Sequence, residues 1–190
     1  MSAGKSLRLL STAHDFDSKN IPILVLKPSA DTRDGANVIR SRAGLERECI
    51  SIEPDINIFD AVNDFNHIRM ATSDDKLKWI LVDECQFLSE EQVDQLSDIV
   101  DFMDINVICY GLRTDFKSKL FPASKRLFEL ADEIEEIKTT CKCGGRASIN
   151  ARFNKDGKII TEGSQILVGG DDLYHAICRK DWKQLIRGKK

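Results

Sequence analysis

Two carboxylates stand side by side where an apolar run ends: Trp79-Ile80-Leu81-Val82 leads straight into Asp83-Glu84. Adjacent carboxylates at one point suit a division of labour, one holding Mg²⁺ and the other taking a proton. A strand that simply ends in solvent can carry the same two residues. Near the start of the chain, Gly4-Lys5-Ser6 is the second half of the phosphate-loop pattern G-x-x-x-x-G-K-[ST]. Its glycine lets backbone approach phosphate oxygens, its lysine reaches the terminal phosphates, and its serine hydroxyl can bind Mg²⁺. A third constellation lies far downstream. Cys141-Lys142-Cys143-Gly144-Gly145 forms a tight knuckle, and Cys178 and Asp181 follow. Three thiolates and one carboxylate can complete a tetrahedral zinc shell; the alternative is three free thiols and a surface aspartate. His175, three residues before Cys178, is a spare ligand candidate ranked below Asp181.

These groups need elements to hold them. The continuous apolar run at 79–83 predicts a strand buried on both faces, as in a parallel sheet, with its last side chains at the carboxyl edge where ligands of open α/β folds sit. Residues 21–28 and 106–111 read as two more buried strands. Leu7, Leu10, Ala13 and Phe16 predict a helix after the phosphate loop, which would bring phosphate to a helix N-terminus. Residues 56–70 predict a second helix, with His67 packing beside its apolar face. Ser89-Glu90-Glu91-Gln92 is a capping box opening a third, and residues 124–131 a short fourth. From Asp132 the texture changes to short β-like runs, with a turn at Asn154-Lys155-Asp156-Gly157. Strand, helix and strand in close succession are the signature of a parallel sheet.

Composition removes several function classes. The chain has 190 residues and a net charge of −3, which gives no general attraction to nucleic acid or acidic membranes. No apolar run approaches membrane-spanning length, and no signal peptide is visible. The six cysteines are therefore expected in a reducing compartment without a disulfide framework. Cys49, Cys85 and Cys109 sit in apolar surroundings and read as packing residues.

In order and spacing, these motifs resemble thymidine kinases of the type II, zinc-containing family, most closely the bacterial and phage branch. The anchors are Ala3-Gly4-Lys5-Ser6, Asp31-Thr32-Arg33, Val82-Asp83-Glu84-Cys85-Gln86-Phe87, Cys109-Tyr110-Gly111-Leu112-Arg113-Thr114-Asp115-Phe116, Cys141-Lys142-Cys143-Gly144 and Gly169-Gly170-Asp171-Asp172-Leu173-Tyr174. The resemblance implies an α/β fold: a P-loop-type parallel sheet flanked by helices over 1–138, a small zinc-bearing β (lasso) subdomain over 139–182, and a basic tail over 183–190. It implies ATP-dependent phosphorylation of thymidine at its 5′-hydroxyl, with Glu84 as general base. Ser2, Ala3, Gly4, Lys5, Ser6, Arg33, Asp83 and Gln86 would meet ATP, and Ser6 and Asp83 would hold Mg²⁺. Phe87, Leu112, Phe116, Asn150, Gly169 and Tyr174 would line the thymidine pocket, with residues 154–163 as the lasso tip. Zn²⁺ would sit among Cys141, Cys143, Cys178 and Asp181. A cytoplasmic homotetramer inhibited by dTTP is implied as well. Two departures stand out. The strand expected before the phosphate loop lies ahead of Met1, so the sheet is expected to lack a central member, and the chain as written to be poorly soluble or inactive until upstream codons are restored. Asp181 also stands where the bacterial branch has histidine. The rival readings are a catalytically impaired nucleotide-binding remnant and a non-enzymatic zinc-ribbon module.

Overall fold

The computed structural model describes residues 4–32, 35–73, 75–165 and 174–188. In chain order these form α1 (Lys5–Ser18), β1 (Ile23–Pro28), β2 (Val38–Arg40), β3 (Glu46–Glu48), β4 (Ile50–Ile52), α2 (Ile58–Ser73), β5 (Trp79–Val82), α3 (Glu90–Met103), β6 (Asn106–Cys109), α4 (Pro122–Leu130), β7 (Thr139–Thr140), β8 (Arg146–Ala147), β9 (Ile149–Phe153), β10 (Ile159–Ile160), β11 (Tyr174–Ile177) and α5 (Arg179–Arg187). A single 3₁₀ turn, Cys85–Phe87, follows β5.

The main sheet is parallel and runs β4-β1-β5-β6. Side chains alternate across it, which explains why both faces are covered. Leu24, Leu26, Ile80 and Val82 pack with α2, α3 and α4, whereas Val25 and Leu81 pack with α1. Each such side chain, when buried, contributes about 1.5–3 kcal/mol. The run at 79–82 is thus apolar throughout because neither of its faces meets water. The four strands are hydrogen-bonded neighbours in that order. Residues 132–138, read in the sequence as β-like, belong to no strand.

Local signals behave as their chemistry dictates. The capping box at α3 is complete: Ser89 Oγ accepts from Gln92 N at 3.0 Å, and Gln92 Oε1 accepts from Ser89 N at 3.2 Å. Two expected packing residues turn outward instead. In α1 the buried stripe is Leu9, Leu10 and Ala13, and Leu7 is exposed. In α2 the buried positions are Ile58, Val62 and Asn66, which leaves His67 exposed one residue round the helix. Asn66 takes the inner place because its Oδ1 accepts from Leu77 N at 2.9 Å, a buried amide that needs a partner.

The C-terminal elements form a separate antiparallel sheet, β10-β9-β11, and a β7-β8 ribbon around Cys141, Ala147, Ile149, Ala151, Ile159 and Ile177. The predicted turn joins β9 to β10, with Asn154 N donating to Lys158 O at 2.9 Å. Among the described residues, no helix is long and apolar enough to cross a membrane.

Candidate functional site

The phosphate-loop residues and the strand-end carboxylates meet. Gly4 occupies the position before α1 at φ 72°, a left-handed conformation that glycine adopts without a Cβ penalty. Lys5 and Ser6 are the first residues of the helix. Ser6 Oγ donates to Asp83 Oδ2 at 2.8 Å, and Lys5 Nζ lies 3.4 Å from Glu84 Oε1. Both carboxylates are buried, at 3% and 6% exposure, so such partners are obligatory.

Asp83 extends β5 by one residue, its N–H donating to Leu26 O at 3.0 Å. The chain then kinks. Glu84 has φ 48° and ψ 37°, and its N–H donates to Asp83 Oδ1 at 3.0 Å. This turn aims the two neighbouring side chains at one place, which an extended strand would not do. Gln86, expected against ATP, is nearly sealed from solvent and faces two other groups. Its Nε2 donates to Glu84 Oε2 at 2.6 Å, and its Oε1 accepts from Leu112 N at 2.9 Å. It thereby ties the carboxylate to the loop that follows β6. Gly111 permits this approach, since a Cβ there would stand 2.4 Å from Cys85 Sγ and 2.9 Å from Gln86 Oε1.

Burial pushes the Asp83 carboxyl up to about 6 and the charge of Glu84 adds to it, while the Ser6 hydrogen bond and Lys5 pull it back. A raised acid favours its neutral form in the fold. The resulting loss of stability is absent below about pH 4 and complete above about pH 6, as ionisation is forced on the folded state. Asp83→Asn is therefore expected to stabilise the metal-free protein at pH 7.5 by on the order of 2 kcal/mol and to change little at pH 4. Denaturant unfolding at the two pH values checks this; a variant no more stable at pH 7.5 would mean that burial does not set the shift.

The thymidine-pocket candidates gather around the loop after β6. Phe87 meets Phe121 edge-on at 6.1 Å, and Leu112 O accepts from Ser124 Oγ at 2.7 Å. Phe116 is buried and lies under the guanidinium of Arg152, which also reaches Tyr174. Asn150 shares a face of β9 with Arg152 by strand alternation. Ser2, Ala3, Arg33 and Gly169 lie outside the described residues. The sequence gives no role to Arg152, to Asp31 beyond its place in the Asp31-Thr32-Arg33 anchor, or to Lys27. The last two are buried together, with Lys27 Nζ 3.9 Å from Asp31 Oδ2 and donating to Gly35 O and Val38 O at 2.7 and 3.1 Å. No motif marks Lys27, although a lysine that ends an apolar run stands out.

At the knuckle, ligand atoms of Cys141, Cys143, Cys178 and Asp181 all lie within 4.8 Å of one another. Cys178 caps α5, its Sγ accepting from Asp181 N at 3.4 Å, which draws Asp181 back toward the thiols. Backbone N–H groups of Cys143 and Cys178 lower the Cys141 thiol, and the Cys141 thiol leads in lowering Asp181. The donor set fits zinc, with three soft sulfurs and one oxygen close enough together to share one ion. The other cysteines are inert by comparison. Cys85 is held well above the ordinary thiol value by the Cys109 thiol beside it and by burial, and burial also raises Cys49.

Comparison with known proteins agrees with this geometry. A family model described as thymidine kinase matches residues 1–182. The thymidine kinase of Haemophilus influenzae (strain 86-028NP) is 42% identical over 184 residues, covering 97% of this chain and 92% of the relative. That of Enterobacteria phage T4 is 43% identical over 187 residues, covering 98% and 93%. That of Shewanella oneidensis is 40% identical over 186 residues, covering 98% and 94%. With its loop lysine and serine set against paired strand-end carboxylates, and with such matches along nearly its whole length, the chain belongs to the thymidine kinase family.

Proposed function

We propose that the chain transfers the γ-phosphoryl group of ATP to the 5′-hydroxyl of thymidine. The observation that carries the reading is the double contact Ser6–Asp83 and Lys5–Glu84, which joins a phosphate-loop half to two buried carboxylates. Phosphoryl transfer asks for positioning and charge neutralisation rather than covalent chemistry. Gly4 and Lys5 cradle the phosphates at the start of α1, where free N–H groups point outward. Ser6 and Asp83 fit as hard oxygen ligands and would hold Mg²⁺, which supplies neutralisation of the phosphate charge. Glu84 accepts the 5′-hydroxyl proton as that oxygen attacks the γ-phosphorus. Gln86 fixes which carboxylate oxygen faces the substrate, and Lys5 balances its charge. Phe87, Leu112, Phe116, Asn150 and Tyr174 enclose the nucleoside and exclude water.

We read the main sheet and its helices, up to residue 138, as the kinase unit, and residues 139–182 as a zinc-stapled lid support. Cys141, Cys143, Cys178 and Asp181 would hold Zn²⁺ as a structural ion. Inhibition by dTTP, a homotetramer and a cytoplasmic location belong to the same reading. The test is formation of dTMP from thymidine and ATP by the purified full chain. The reading predicts ATP-dependent product that vanishes without a divalent cation. A folded, zinc-loaded protein that forms none overturns it.

A further inference from the structure

Five cationic side chains and one hydroxyl line a single recess of about 640 Å³: Arg113, Arg146, Ser148, Arg179, Lys180 and Lys183. Its volume falls in the range of small-molecule sites, about 300–1,000 Å³. None of the six belongs to the phosphate loop, the strand-end carboxylates or the thymidine-pocket candidates. They come from separate stretches of chain. Arg113 stands in the loop after β6, Arg146 on β8, Ser148 between β8 and β9, and the other three on α5. Among the described residues, no carboxylate joins the lining.

Crowding of one sign is unfavourable unless something offsets it. On α5, Arg179 and Lys180 stand four and three positions before Lys183, so like charges neighbour one another across a turn. Among the described residues, Arg113, Arg179, Lys180 and Lys183 form no ion pair and no side-chain hydrogen bond. The acid between them in sequence is engaged elsewhere, because the Asp181 carboxylate accepts from Cys141 Sγ at 3.2 Å. Arg146 is paired with Glu136. Lysines and arginines on a convex face are simply solvated, but these converge on a concave volume, where cationic walls focus the field on whatever enters.

The chemistry of the lining selects the ligand. Arginine forks and lysine ammonium groups are phosphate donors, the first bidentate and the second as point charges. A phosphate chain concentrates several charges along a short, three-dimensional stem, which suits cations set around a recess. A nucleic-acid backbone asks instead for cations in a stripe along one face, and the net charge of −3 opposes it. Arg113 adds a second constraint. It follows Leu112, whose N–H is held by Gln86 Oε1, and so belongs with the main sheet, whereas the other five residues belong with the zinc-site sheet and its helix.

We propose that this recess is an anion site separate from the phosphate loop, that it takes the phosphate chain of a free polyphosphate or of a nucleotide, and that the bound chain straps the loop after β6 to the C-terminal sheet. The test reads binding rather than turnover, so it stands or falls apart from the thymidine kinase reading. Tripolyphosphate is titrated calorimetrically into the zinc-loaded full chain carrying Lys5→Ala, which silences the phosphate loop. Binding is expected to persist there. It should weaken roughly tenfold or more when Arg113→Gln, or Lys180→Gln with Lys183→Gln, is added, as for loss of a charged hydrogen bond. These side chains are exposed, so the fold should tolerate the changes. By hydrogen exchange, tripolyphosphate should slow the loop after β6 and α5 together, and Arg113→Gln should abolish the protection of both. A parallel titration with ATP separates the sources: tighter binding than tripolyphosphate assigns the site to nucleotides, equal binding to the free chain, and either supports the proposal. If Lys5→Ala does not fold, stoichiometry decides, with two tripolyphosphates expected per wild-type chain and one per Arg113→Gln chain. No binding in Lys5→Ala overturns the proposal, as does one site per wild-type chain. So does binding that Arg113→Gln leaves unchanged, since the strap then lacks its near end. Equal affinity for sulfate at matched ionic strength, or tighter binding of a short oligodeoxythymidylate than of tripolyphosphate, is equally fatal.

Discussion

Glu84→Gln is expected to cut turnover by about 10²- to 10⁴-fold and to leave thymidine affinity within about threefold of wild type. The substitution keeps the side chain's length and its acceptor for Gln86 Nε2, 2.6 Å away in the parent, while removing its capacity to take a proton. Backbone cost does not confuse the outcome, because glutamine meets the same left-handed conformation as glutamate at φ 48°. Lys5 loses its partner at 3.4 Å but gains freedom to meet phosphate, so ATP binding should not weaken. Turnover at saturating substrates and calorimetric thymidine affinity check the split. Near-wild-type kcat would place the proton acceptor elsewhere, and Asp83, already hydrogen-bonded to Ser6, would be the first alternative.

Stripping the metal from the knuckle is expected to be nearly as damaging. About one zinc per chain should co-purify, and its removal by a chelator, or by Cys141→Ser, should melt the C-terminal sheet and lower thymidine turnover to about a hundredth or less. Structural zinc contributes on the order of 10 kcal/mol in small domains, more than the apolar cluster of six buried residues around Cys141 can replace. The damage reaches the site because Asn150, Arg152 and Tyr174 are carried by β9 and β11 of that sheet. Elemental analysis and circular dichroism before and after chelation are the measurements. Freshly prepared protein with no metal would refute the zinc assignment. Asp181→His should slow loss of metal to the chelator, since imidazole suits zinc better than a lone carboxylate oxygen. Unchanged or faster loss would remove Asp181 from the ligand set.

Much of this arrangement is legible in the chain because its signals are local. The capping box at Ser89 and Gln92, the apolar run into Asp83 and the Cys141–Cys143 knuckle each consist of residues close in sequence, and each forms the contact that its spacing suggests. What escapes depends on residues that meet only after folding. Gln86 finds its second partner 26 positions away, at Leu112 N, and no periodicity announces that bond. Nothing in the sequence marks Arg152, which the β9–β11 register sets against Tyr174. Lys27 reads as the end of a strand, yet the loop that folds over it supplies two carbonyls and makes it one of the most deeply buried side chains. The outward turn of Leu7 and His67 has a related cause: a stripe of apolar positions fixes a helix face only to within a residue, and the neighbour that fits the sheet takes the inner place.

The left-handed kink at Glu84 has a consequence for anyone selecting variants of this chain. A side chain other than glycine in that conformation costs roughly 1 kcal/mol or more, and this one also brings a carboxylate into a nearly dry place beside another. Glycine at 84 relieves both costs, at the loss of an acceptor for Gln86 and a partner for Lys5, and abolishes the proposed proton acceptor. A library sorted only for expression or heat resistance will therefore enrich glycine at this position and fill with inactive proteins, while a library sorted by growth on thymidine will discard the same clones. The rank of a single residue in the two sorts reverses, and position 84 becomes an internal control for which of the two properties a selection is rewarding.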